Sequence, residues 1–99
     1  MARKNELYSA MSVGQRIMVT RLAIGITQRA FAMPLGVTRE AQTQYESGAR
    51  YPKWEHAIAM CDAWGLTMDW LFRGDISGLS PMLVEKINRN LHKAKARVI

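Results

Sequence analysis

At 99 residues and 11.2 kDa, the chain has room for one small domain, and a chain so short buries only about 60 to 70% of its unfolded surface. Hydrophobic residues at 48% and charged ones at 22% are globular proportions, while a formal charge of +6 and a pI near 10.0 favour a polyanionic partner such as nucleic acid. A single cysteine excludes an internal disulfide and any multi-cysteine metal site, and MARKNELYSAMS lacks the apolar centre of a secretory signal, so a cytoplasmic protein without a membrane span is expected.

Residues 1–12 read as an N-terminal arm. Ser12 with Gln15 three residues on forms a capping-box pattern, and Val13, Ile17, Thr20 and Ile24 recur at helical spacing until Gly25. Thr27 caps a second helix through Gln28, Arg29, Ala30, Phe31 and Ala32; Pro34 removes a donor from its last turn, and Gly36 ends it. Thr38 caps a third helix that stops at Ser47-Gly48, with Val37, Ala41 and Tyr45 as its only well-spaced apolar residues. A fourth places Trp54, Ala57, Ile58, Cys61 and Trp64 on one face and ends at Gly65; Thr67 caps a fifth over Met68 to Arg73, closed by Gly74.

No alternating strand pattern of useful length occurs, so the fold expected is all-α, a compact bundle of five short helices held by tertiary packing. Residues 75–99 read as a linker and an additional C-terminal helix that opens at Ser80-Pro81. Val84, Ile87, Leu91, Ala94 and Val98 form its narrow seam, with Lys86, Arg89, Lys93, Lys95 and Arg97 largely off it. Such a helix can fold back on the bundle, dimerise or reach phosphates, and lying on a membrane surface is the remotest of its readings.

Thr27-Gln28-Arg29-Ala30-Phe31-Ala32, Leu35-Gly36-Val37-Thr38 and Tyr45-Glu46-Ser47-Gly48 together resemble the helix-turn-helix of the Xre/Cro/lambda-repressor-like family. The similarity extends to Gly14-Gln15-Arg16-Ile17 and Arg21, to Gly48-Ala49-Arg50-Tyr51-Pro52 and to Gly65-Leu66-Thr67-Met68-Asp69-Trp70-Leu71. It runs in register without gaps over residues 13–74. The resemblance implies a lambda-repressor-like bundle in which the second and third helices form the motif, and a sequence-specific regulator of transcription, a repressor, on double-stranded DNA. It also implies a pairing of Arg21 with Glu46.

On that resemblance the outward residues of the third helix, Arg39, Glu40, Thr43 and Gln44, are the base readers. Arginine forks onto guanine, glutamine bonds adenine, and glutamate accepts from cytosine. Gln28 and Arg29 at the start of the second helix, with Arg50 and Lys53 after the third, are the phosphate contacts, which orient a protein without reading sequence. A homodimer on an inverted repeat, with half-sites roughly 34 Å apart, would follow. The alternative is an antitoxin-like or accessory interaction module in which DNA binding is weak or lost.

Three residues depart from the family pattern. Gln42 stands at an apolar position, where burial without partners costs on the order of 1–3 kcal/mol; Thr20 stands where leucine is usual; and Pro34 interrupts the second helix. No enzymatic pattern, glycine-rich phosphate loop, cofactor or small-molecule ligand is expected, and His56 and His92 lack the neighbours of a zinc site. Cys61, the three tryptophans and Met11, Met18, Met33, Met60, Met68 and Met82 read as packing residues.

Overall fold

Side-chain caps set where most of the helices begin. The computed structural model describes the backbone of residues 4–98 and the side-chain surroundings of residues 6–91. In chain order it comprises α1 (Lys4–Leu7), α2 (Ala10–Ile24), α3 (Gln28–Ala32), a 3₁₀ turn (Met33–Leu35), α4 (Arg39–Ser47), α5 (Trp54–Trp64), a π-helix (Asp69–Arg73) and α6 (Pro81–Val98), with no strand among the described residues. Thr27 and Thr38 hydroxyls accept from the amides of Ala30 and Ala41, each at 3.1 Å. Thr67 and Ser80 do the same for Trp70 at 3.0 Å and Leu83 at 3.2 Å, so these four anticipated caps each satisfy an amide the helix leaves open.

Three boundaries differ from the sequence reading. The first long helix starts at Ala10 with Ser9 as its cap, the Ser9 hydroxyl accepting from Ser12 N at 3.1 Å. Ala10 and Met11 are good helix formers, so propagation carries the helix one turn further than the Ser12 pattern indicates. Pro34 ends α3 after five residues and lies inside the 3₁₀ turn, because its ring supplies no N–H and clashes with a preceding carbonyl. The fifth helix is wound as a π-helix closed by Gly74.

Helix α2 is central and packs against both α4 and α6. The crossing with α4 is very close. A Cβ on Gly14 would stand 2.2 Å from the Tyr45 carbonyl oxygen and 2.9 Å from that of Glu46. At the end of α4, Gly48 has φ 81° and a Cβ there would meet Met11 Cα at 2.6 Å. Only hydrogen fits at either point, and Gly48 also needs the left-handed backbone.

The core gathers Val13 and Ile17 of α2, Phe31 of α3, Tyr45 of α4, Ala57 and Met60 of α5, Leu71 of the π-helix and Ile87 of α6, all with zero exposure. The Phe31 and Trp64 rings stack with centroids 5.4 Å apart, and the Trp64 indole donates to Phe31 O at 3.2 Å. Thr20 is equally buried: its hydroxyl donates to Arg16 O at 2.7 Å and accepts from the Trp70 indole at 2.8 Å. The hydroxyl at this usually apolar site is therefore fully used. Arg16 ties both flanks to α2, donating to Leu71 O at 3.1 Å and Leu7 O at 2.7 Å; burial lowers its pKa from the ordinary value.

Helix α6 folds back on α2 through Ile87, with Leu83 and Val84 half-buried and Leu91 exposed. Ala94 and Val98 of the expected seam, the basic Lys93, Lys95 and Arg97, and His92 lie outside the described side chains, as do residues 1–3 and 99 altogether. Beside the start of α6, Ile76, Leu79, Pro81 and Val84 line an apolar groove of about 950 Å³ that the sequence does not announce.

The expected packing face of α5 is turned. Ala57 and Met60 are buried and Cys61 and Trp64 half-buried, whereas Trp54 is 68% and Ile58 41% exposed. Helical side chains lean toward the N-terminus, so a residue at the first position of α5 projects past the end of the bundle rather than into it. Met11, Met33, Met68 and Met82 are likewise exposed and fill no gap.

Replacing Gly14 by alanine forces the α2–α4 crossing apart and is expected to remove about 2–3 kcal/mol of stability in urea titration; an unchanged midpoint would refute the tight crossing. Burial and neighbouring Asp62 push the Cys61 thiol up. Its alkylation at mildly alkaline pH should accordingly be slower in the folded chain than in urea, since only the thiolate reacts.

Candidate nucleic-acid interface

Helix α4 has two chemically different sides. Its inner side carries Tyr45, Gln42 and Glu46, all buried, with Ala41 half-buried and Val37 closing the turn before it. Its outer side carries Arg39, Glu40, Thr43, Gln44 and Ser47, all exposed. With no apolar residue on that outer side, core packing does not explain why the ridge is built.

The inner side is held by one carboxylate. Arg21 of α2 grips Glu46 with two hydrogen bonds, Nε to Oε2 at 2.8 Å and an Nη to Oε1 at 3.0 Å, while its other Nη donates to Ile26 O at 2.8 Å. Gln42 Nε2 donates to Glu46 Oε2 at 2.8 Å and Gln28 Nε2 to Oε1 at 3.2 Å. Glu46 thereby joins α2, α3 and α4 at one point. The bidentate geometry gives directional as well as Coulombic constraint. Gln42 resolves its burial through this network on the donor side, although its Oε1 finds no partner.

The expected phosphate contacts separate into two kinds. Gln28 is turned inward: beyond its bond to Glu46, its Oε1 lies 3.0 Å from Thr43 Oγ1, which is also 2.9 Å from Arg39 O, so the single hydroxyl proton serves one of these oxygens. In this conformation the Gln28 amide nitrogen is engaged by Glu46 and its oxygen lies within reach of Thr43, so the side chain spans α3 and α4. Arg29, Arg50 and Lys53 are exposed and join no ion pair among the described residues. Arg50 lies over the Tyr45 ring at 5.0 Å, which positions its guanidinium beside α4 without neutralising it.

Tyr45 also places the segment that follows. Its hydroxyl is 2.6 Å from His56 Nδ1 and accepts from Lys53 N at 3.5 Å, so the start of α5 is pinned to the far end of α4. At the other end, Arg29, Ala32, Met33, Val37 and Arg39 surround a groove of about 290 Å³ in the elbow between α3 and α4, with an arginine on either side. Positive charge thus flanks the ridge at both ends. Glu40 sits in the first turn of α4, where the helix dipole favours a carboxylate.

The base-reading candidates share one exposed face, and Arg29, Arg50 and Lys53 border it; Gln28 alone among the phosphate candidates is occupied internally. Sequence reasoning missed the exposure of Trp54, next to Lys53. Its position at the first turn of a helix was the available signal. No group of residues suited to holding a metal ion occurs among the described residues, and none of their helices is long and apolar enough to cross a membrane.

No protein-family model matches the chain, and no solved structure matches it. Among curated proteins it is similar to an "Uncharacterized HTH-type transcriptional regulator YqaE" of Bacillus subtilis (strain 168), with 36% identity over 50 residues, covering 50% of this chain and 43% of that protein. The matched segment is thus less than half of that relative.

Replacing Glu46 by alanine leaves a half-buried guanidinium and two amide donors without their acceptor. A loss of about 3 kcal/mol in denaturant is expected, and a loss under 1 kcal/mol would show that the network does not organise the three helices.

Proposed function

We propose that this chain is a helix-turn-helix regulator of transcription that binds double-stranded DNA in a sequence-specific manner and acts as a repressor by occupying its operator. The observation that carries the reading is the polar outer ridge of α4, held outward by the Glu46 network and flanked by cations that join no ion pair among the described residues. A single helix fits the major groove of B-DNA, where side chains of these types distinguish base pairs. The likeness to a protein named an HTH-type transcriptional regulator supports the same assignment, as does the resemblance to the Xre/Cro/lambda-repressor-like pattern.

In this reading α3 and α4 are the two helices of the motif. Arg39, Glu40, Thr43 and Gln44 read bases from the major groove; Arg29, Arg50 and Lys53 contact the sugar-phosphate backbone. Gln28 acts first as the brace that orients Thr43, and contributes to phosphate only if its side chain turns outward on binding. A homodimer placing two ridges on an inverted repeat, half-sites roughly 34 Å apart, suits a recognition surface this small.

Selection from randomised duplexes should enrich a palindrome. Arg39→Ala or Gln44→Ala should relax preference at particular positions, by about 1–3 kcal/mol per lost bidentate contact, whereas Arg29→Ala or Lys53→Ala should weaken all duplexes alike and reduce the salt slope by about 1. Failure to enrich any site across repeated selections would sink the regulator reading and favour an interaction module.

A further inference from the structure

The three tryptophans are used unequally. Trp70 is buried and its indole N–H is spent on Thr20; Trp64 is half-buried and stacked on Phe31, its N–H spent on Phe31 O. Trp54 differs on every count. It is 68% exposed, and among the described residues its ring enters no ring–ring or cation–π pair and its N–H no hydrogen bond. A large aromatic side chain held in water with its donor open contributes little to this fold.

Its neighbours indicate what it meets. Trp54 follows Lys53 directly, and the Tyr45 hydroxyl contacts both Lys53 N and His56, so the first turn of α5 stands beside the end of α4. Arg50 lies over that same tyrosine. Trp54 is therefore carried on the segment that leaves the end of α4, directly after the exposed Lys53 and before the exposed Glu55, with Arg50 four residues earlier over Tyr45. An apolar ring carrying one donor, on a segment that also supplies Arg50 and Lys53, matches a sugar-phosphate backbone: deoxyribose offers an apolar edge and the phosphate an anionic acceptor. A protein partner docking on bare apolar surface gains nothing from the cations.

We infer that Trp54 is a DNA-contact residue, its ring lying against a deoxyribose and its indole N–H donating to a phosphate oxygen beyond the end of the recognition helix. The inference rests on the DNA-binding function proposed above and adds to it a backbone contact that carries no charge. Binding through Trp54 is thus insensitive to base sequence and makes no contribution to counterion release. Lys53, one residue away, contributes through its charge.

The test uses the full chain and a fluorescein-labelled duplex of random sequence at low salt, followed by anisotropy over a salt series. Trp54→Phe, which keeps a ring and loses the donor, should weaken binding about tenfold, and Trp54→Ala about threefold further as the sugar contact is lost. Both should leave the salt slope unchanged, whereas Lys53→Ala lowers it by about 1. Tryptophan emission of the unmodified chain should be quenched by the unlabelled duplex, and that of Trp54→Phe should not.

Both variants should fold, because the side chain they alter is largely in water; near-ultraviolet circular dichroism of Trp64 and Trp70 checks this. If the unmodified chain binds duplex and both variants bind as tightly, the contact is refuted while the regulator function stands. If the unmodified chain binds no duplex at all, both fall together. Loss of self-association in DNA-free Trp54→Ala would assign the ring to a protein interface and likewise overturn the inference.

Discussion

The Glu46 carboxylate is the constraint on which the rest of the molecule depends. It stands where three helices meet and accepts two hydrogen bonds from Arg21 and one each from Gln28 and Gln42. A buried ion pair is a poor source of net stability, because desolvating two charges offsets most of their attraction. What it supplies is direction. Two oxygens, four hydrogen bonds and a planar guanidinium leave α4 little freedom to roll about its axis, and that roll decides which side chains face outward.

Two further features act on the same helix. Gly14 lets the backbone of α4 press onto α2 with only hydrogen between them, and Tyr45 carries the position of α4 forward to Arg50, Lys53 and the start of α5. The outcome is a ridge with a rigid back and a solvated front. A recognition helix requires this division, since side chains that bond to base edges need their backbone fixed beforehand. The unpartnered Gln42 Oε1 is a local cost, on the order of 1–3 kcal/mol for a buried acceptor, which the network's donors do not relieve.

The departures from the family pattern prove to be local substitutions with local answers. Thr20 is matched by the Trp70 indole, Gln42 by Glu46, and Pro34 by a 3₁₀ turn that lets the chain reach Gly36 without continuing α3. Only the first joins residues far apart in the chain: Gln42 and Glu46 lie four residues apart on α4, and the turn at Pro34 is local. The Thr20–Trp70 pairing cannot be read from a helical wheel, because spacing along one helix does not report what faces it from another.

The sequence by itself determined what depends on a few adjacent residues: the caps Thr27, Thr38, Thr67 and Ser80, the glycines that end helices, the absence of strands, and the polar side of residues 39–44, since cap chemistry and helical period are local properties. Whether that polar side faced water, whether Gln28 turned outward or in toward Glu46, how the fifth helix was wound, and on which side of α5 Trp54 emerged were decided only by tertiary structure. Those outcomes depend on the balance of packing and hydrogen bonding between segments far apart in the chain, and a one-residue roll of a short helix exchanges its inner and outer side chains with little change in its own local energy.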